Sequence, residues 1–169
     1  MDVSQLSGRF SVRRLAEDDA GTVYELCRKN PLYYRYCPPF VTEESILRDM
    51  RALPPRTAPS DKFYLGYYDG GRLIAVLDLI LGYPAGEAAF IGFFMTDPAV
   101  QNQGIGSAIV GELCQALKKA GFAEVRLGWV KGNPQAEHFW RKNGFRETGI
   151  TYETGDEVPY TVTVARKSL

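Results

Sequence analysis

Gln101-Asn102-Gln103-Gly104-Ile105-Gly106-Ser107 is a polar loop carrying two glycines, set between an apolar run and an amphipathic one. The run before it, Phe90-Ile91-Gly92-Phe93-Phe94-Met95-Thr96, is short, aromatic and aliphatic, and reads as a buried β-strand. After it, Ile105, Ile109, Leu113, Ala116, Leu117 and Ala120 recur at helical spacing, which predicts a helix from about Gly104. The first amides of a helix lack internal partners, and the helix dipole adds partial positive charge there. Such a loop can hold a phosphate or diphosphate through N–H groups alone, with glycines letting the backbone come close. No lysine lies within it.

Two other phosphate loops are excluded by residue type. A Walker A loop needs Gly-Lys-Ser/Thr, whereas Gly106 is followed by Ser107 and Ala108. A dinucleotide fingerprint needs a third small residue and an acid closing the next strand, but Glu124 precedes the strand Val125–Val130. The loop alone leaves open a strand-to-helix turn that binds nothing.

Asp78 is the first candidate for proton transfer. In Leu73-Ile74-Ala75-Val76-Leu77-Asp78-Leu79-Ile80-Leu81 it shares a strand face with Val76 and Ile80, a costly place for a carboxylate. Desolvation there raises proton affinity, which suits a general base. The alternatives are an ion pair with an arginine or lysine, or bonds to backbone amides. Glu87, at the mouth of the following strand, is the fallback base. His138, the only histidine, borders the apolar face of its helix without sharing it and reads as a solvated surface residue.

The elements that must position these groups follow in order. Phe10–Leu15 alternates as a first strand. Asp18 or Asp19 can cap a helix with Ala20, Val23, Tyr24 and Cys27 on its apolar stripe, which cannot run far past Asn30-Pro31. Leu32–Phe40 reads as an unusually aromatic connection. Thr42 caps a second helix carrying Ile46, Leu47, Met50 and Leu53, ended by Pro54-Pro55. Lys62–Pro84 reads as a hairpin turning at Asp69-Gly70-Gly71, and Ala88–Thr96 as the strand feeding the loop. The helix from Gly104 ends at Ala120-Gly121, and Val125–Val130 follows as a parallel strand. Asn133-Pro134 starts a helix with Ala136, Phe139, Trp140 and Asn143 on one face, closed by Gly144. Phe145–Gly149 and Val158–Ala165 read as two antiparallel strands.

The chain of 169 residues is most simply one domain, 1–169, with 20 Lys plus Arg against 20 Asp plus Glu. Zero net charge argues against general affinity for nucleic acid or anionic membranes. No apolar run reaches the ~18–20 residues that span a bilayer, and the N-terminus has no signal-peptide pattern. Cys27, Cys37 and Cys114 are odd in number and lack metal-site spacing, so no metal site is expected. They read as reduced thiols of a cytoplasmic protein.

Asn133-Pro134-Gln135-Ala136-Glu137-His138-Phe139-Trp140-Arg141-Lys142-Asn143-Gly144-Phe145 fits Asn-x-x-Ala-x-x-aromatic-Tyr-x-x-x-Gly-Phe, with tryptophan at the tyrosine. The loop fits Gln/Arg-x-x-Gly-x-Gly/Ala. With both signatures in register, the chain resembles the GCN5-related N-acetyltransferase (GNAT) superfamily. The N-terminal third matches by element order alone.

The resemblance implies an α/β fold with a mixed sheet of about seven strands and about four flanking helices. It implies that Ile91–Thr96 and Val125–Val130 splay apart and hold acetyl-CoA between them. The diphosphate then lies on the amides of Gln103, Gly104 and Gly106 within the segment Gln101, Asn102, Gln103, Gly104, Ile105, Gly106, Ser107. Backbone groups of Phe94 and Thr96 pair with the pantetheine arm, and the Phe94 or Met95 amide faces the thioester oxygen. Asn133 contacts the pantetheine, while Phe139 and Trp140 wall it, core packing being the alternative for both. Tyr33, Tyr34, Tyr36 and Phe40 lie where relatives build the acceptor pocket, or they simply cover the sheet. The implied activity is acetyl transfer to a primary amine, of a small molecule or a peptide, by direct attack. Trp140 cannot be a general acid, because an indole N–H does not titrate usefully. A catalytically weak acetyl-CoA sensor of the same fold therefore stays open, and so does the oligomeric state, a homodimer included.

Overall fold

The computed structural model describes residues 1–155 and 158–169. Seven strands form one mixed sheet in the order β1-β2-β3-β4-β5-β7-β6. Strand β1 (Ser11–Arg14) leads to α1 (Ala20–Cys27), α2 (Pro31–Tyr36) and α3 (Glu43–Arg51). The hairpin of β2 (Lys62–Asp69) and β3 (Arg72–Leu81) precedes β4 (Ala88–Thr96), α4 (Ile105–Lys119) and β5 (Glu124–Val130). Helix α5 (Pro134–Lys142), β6 (Arg146–Glu153) and β7 (Thr161–Ser168) complete the chain. The sheet and the four longer helices match the architecture implied by the resemblance.

Local chemistry explains most boundaries. The Oγ1 of Thr42 accepts from the Ser45 N–H at 3.0 Å, capping α3, and the hairpin turns on Gly70 and Gly71 at φ 55° and 83°. Gly121 closes α4 at φ 91°, with its N–H bonded to Lys118 O and that of Phe122 to Leu117 O. Paired bonds of this kind satisfy carbonyls that the helix end leaves open.

Four details depart from the sequence reading. Asp19 does not cap α1; its carboxylate accepts from the Ala16 N–H at 2.9 Å and pairs with Arg13. The aromatic connection contains α2, a helix of six residues started by Pro31, too short for its periodicity to show. Leu53 lies beyond the end of α3 and is exposed. The last two strands are displaced, β6 running on to Glu153 and β7 starting at Thr161, because β7 pairs with β5 on one side and β6 on the other.

The sheet is covered on both faces. Leu65, Tyr67, Leu77, Ile109, Leu113 and Phe145 form the core under α4 and α5. Val23, Leu26, Ile46, Tyr64, Val76 and Met95 form the core under α1 and α3. No helix among the described residues is long and apolar enough to cross a membrane.

The parallel pairing of β4 with β5 runs from Ala88–Glu124 to Ile91–Leu127 and stops there. Against β3, Phe93 pairs with Asp78 and Ile91 with Leu79, so Gly92 is an extra residue. A bulge of this kind bends its strand and increases local twist. Past Gly92, β4 stays with β3 while β5 continues with β7, and the sheet opens into a V.

Candidate active site

The V is a cleft of about 710 Å³ whose lining includes β4, the end of β5, the glycine loop, α5 and the start of α2. Its β4 wall is set by register. The Asp97 N–H donates to Ile74 O at 2.8 Å, and alternation along an antiparallel ladder then directs the N–H and C=O of Met95 to Val76. The same alternation turns those of Phe94 and Thr96 out of the other edge, into the cleft. Of the two amides named from sequence for the thioester oxygen, Met95 is thus withdrawn into the sheet and Phe94 remains. Thr96 offers less than expected, because its carbonyl already accepts from Gln101 Nε2 at 3.1 Å and Asn30 Nδ2 at 3.3 Å.

Gln101, Asn102, Gly104, Gly106 and Ser107 line the cleft, whereas Gln103 and Ile105 do not contribute to its wall. The Gln101 amide braces the loop by also bonding Asn30 Oδ1 at 2.8 Å. Left-handed φ angles at Asn102 (60°) and Gly104 (78°) turn the chain into α4. A side chain at Gly104 would meet open space, so backbone conformation alone demands glycine there. Gly106 differs: its missing Cβ would stand 3.2 Å from Phe139 Cε2 and 3.6 Å from Thr96 Cγ2. It lets α5 close down on the first turn of α4.

Phe139 and Trp140 serve as both wall and core. Both line the cleft, Phe139 stacks on Phe94 at 5.9 Å, and Trp140 meets Phe139 and Phe145 edge-on at 4.9 and 5.1 Å. Asn133 also lines the cleft, but its Oδ1 caps α5 by accepting from the Ala136 N–H at 3.1 Å. Its amide NH2 is the part left for a ligand.

Lys29, from the end of α1, comes to the loop and lines the cleft. Its Nζ lies 3.4 Å from Asp97 Oδ2, which Arg72 holds more closely at 2.9 Å. Nothing local in the sequence marks Lys29; only the fold brings it to the glycine loop. His138, read as a surface residue, lines the cleft together with Lys142. Among the described residues the cleft has these basic side chains and no carboxylate in its lining. Open helix amides, three basic residues and an unpaired strand edge fit coenzyme A, an extended amide chain ending in phosphates. No group of three or more candidate metal ligands occurs among the described residues.

On the α1–α3 face, Asp78 is buried at 8% exposure and pairs with Lys62, itself 7% exposed, at 2.8 Å from Oδ2. Its Oδ1 has no partner among the described residues. Burial pushes the carboxyl above the usual range, and Lys62 holds it back only in part. Asp78 is absent from the cleft lining but lies under Gly92, which is part of it. Glu87 corrects the sequence reading. It is exposed before Ala88, at the far end of β4 from the open V, and does not line the cleft.

Tyr33 lines the cleft and meets Phe93 edge-on at 5.6 Å. Burial holds its hydroxyl well above the ordinary tyrosine value. Tyr34 packs on Tyr33 and Phe40 at 5.0 and 5.1 Å and on the core under α1 and α3. Tyr34, Tyr36 and Phe40 do not line the cleft, and Phe40 is exposed. Tyr152 and Tyr160 line the cleft and were not expected from sequence, since their place depends on β7 inserting beside β5.

The acetyltransferase (GNAT) family model matches residues 24–145, and the chain belongs to that family. Among solved structures it is similar to an acetyltransferase from Thermus thermophilus, at 21% identity, TM-score 0.75, over 95% of this chain and 97% of that one. It is similar to the PaiA N-acetyltransferase from Thermoplasma acidophilum in complex with coenzyme A, at 20% identity, TM-score 0.67, over 95% and 99%. The ribosomal-protein-S18-alanine N-acetyltransferase from Escherichia coli aligns at 16% identity, TM-score 0.68, over 94% and 93%. At these identities the likeness is one of fold. Among curated proteins nothing matches.

Proposed function

We propose that this protein transfers the acetyl group of acetyl-CoA to a primary amine, by direct attack while both are bound. The observation that carries this reading is the edge of β4, where Phe94 presents an N–H and C=O bonded to neither β3 nor β5, leading straight into the amides that start α4. Acetyl-CoA supplies the acetyl thioester when bound. The amides of Gly104 and Gly106 and the Lys29 ammonium hold its phosphates, and the Phe94 N–H donates to the thioester oxygen, where charge builds during attack.

Asp78 is the proposed base, because its carboxyl is raised by burial and it sits behind Gly92 on the side where Tyr33 and Phe93 flank the cleft. An acyl-enzyme route through Cys27 or Cys114 is disfavoured by the state of their thiols. Burial pushes Cys27 up to about 12 and raises Cys114 as well, so neither is a ready nucleophile. These buried thiols also suit a reducing cytoplasm. The proposed acceptor is a small-molecule or peptide amine. Neighbours in fold include the S18-alanine enzyme and a spermidine N-acetyltransferase chimera, which together span both acceptor types.

Trp140 favours a second reading, an acetyl-CoA sensor, since it cannot protonate a departing thiolate. A thiol of pKa ~8.5 can leave as the anion, so loss of the acid slows the step without abolishing it. The separating experiment measures free thiol released from acetyl-CoA across amino acids, polyamines, aminoglycosides and peptides. Release above hydrolysis with one amine class supports the enzyme. Tight binding with none for any amine establishes the sensor.

A further inference from the structure

We infer that Lys62 is a positioning residue for the acceptor side of this site: it holds the Asp78 carboxylate behind Gly92 and sets the pH range in which that carboxylate can accept the amine's proton. The inference rests on the proposed role of Asp78 as base. Tyr64 pairs directly with Asp78 across the β2–β3 hairpin, so Lys62 is its diagonal neighbour on the same face. The Nζ reaches Oδ2 at 2.8 Å, and both side chains are almost fully enclosed. An ion pair removed from water normally saturates its lone pairs, yet Oδ1 has no partner among the described residues.

The oxygen that Lys62 holds is also the one that lies against Gly92, while Oδ1 is enclosed. On β4, the Cβ that Gly92 lacks would stand 2.8 Å from Oδ2, so the carboxylate fills the space of the missing side chain. Gly92 itself lines the cleft. Phe93, also on β4, brings no charge. On β2, Tyr64 is held protonated by burial, with Cys27 of α1 and Tyr34 of α2 beyond it. On α3, Asp49 adds negative charge that opposes ionisation of Asp78. Burial and Asp49 thus push the carboxyl up, while Lys62 pulls it down and keeps an ionised base available. As the amine nitrogen forms its bond to the acetyl carbon, the carbon–sulfur bond breaks, coenzyme A leaves as the thiolate, and the nitrogen sheds a proton. The Asp78 carboxylate takes that proton, becomes a neutral acid, and gives it up to solvent after product leaves.

The test follows the Asp78 carboxyl carbon by isotope-edited NMR against pH in the ligand-free protein, with Asp78→Asn identifying the signal. Removing the cation in Lys62→Met is expected to raise the midpoint by about one to three units. The acid limb of kcat/KM, measured with acetyl-CoA and the fastest amine of the panel, should move by the same amount. Lys62→Arg, which keeps the charge, should restore both. An unmoved midpoint overturns the inference, and so does a moved midpoint with an unmoved acid limb. Full activity in Asp78→Asn would instead remove Asp78 as the base, a distinct failure. Retention of the native amide spectrum in Lys62→Met shows that the fold has survived.

Discussion

Asp78 and Gly92 share one space: the carboxylate of the first occupies the position that a side chain on the second would need, at 2.8 Å. The bulge that opens the sheet and the proposed base are therefore one arrangement. Gly92→Ala should push the carboxylate from Lys62 or flatten the bulge. Overpacking of this kind costs about 1–3 kcal/mol. Stability to denaturant and thiol release should both fall, and a variant of native stability and activity would show that the contact relaxes freely.

Asp78 also makes stability depend on pH. Its folded-state proton affinity is raised above the ordinary carboxylate value of 3.8. Its contribution is therefore fully present below that value and is lost as pH rises through the raised one. Relative to Asp78→Asn, the protein should be most favoured in acid and lose that advantage toward neutrality. Unfolding curves of both proteins from pH 3 to about pH 7 check the sign. In turnover, Asp78→Asn should be slowest relative to wild type near neutral pH, with acetyl-CoA affinity unchanged.

The two loop glycines should fail differently. Gly104→Val strains a left-handed residue, at ~1–2 kcal/mol, and should weaken acetyl-CoA binding by disturbing the first amides of α4. Gly106→Val should displace Phe139 from the start of α4 and lower thermal stability as well as affinity. Calorimetric affinity and melting temperature, measured together, separate them. Unchanged affinity in both would take the loop out of the site.

Lys29→Met should weaken acetyl-CoA about two- to fivefold at low salt and less as salt rises, as expected for a partly exposed charge. Asp97 keeps Arg72 and the Ala99 N–H, so the loop should hold its shape. A truncated donor that ends at the pantetheine should bind both proteins equally. An equal loss for the truncated donor would place Lys29 elsewhere in the mechanism.

What the sequence made legible was local. Thr42, Asn133, Gly104 and Gly121 carry cap and turn chemistry that acts within a few residues, and each stands at a helix end. The splay followed from two signatures in register. The rest is tertiary. Which amide of β4 faces the cleft depends on pairing with β3, and that register displaced Met95 in favour of Phe94. The partner of Asp78 was foreseen as a type, a lysine or arginine, but Lys62 itself is fixed by the hairpin register. Lys29, Tyr152 and Tyr160 reach the cleft from distant segments whose local patterns give no sign of it.

The most direct measurement is a titration of amide-labelled protein with acetyl-CoA, read residue by residue in NMR spectra. Saturable shifts centred on the amides of Phe94, Gly104 and Gly106, with Met95 much less affected, are the predicted result. Binding that leaves those three amides unmoved would contradict the account.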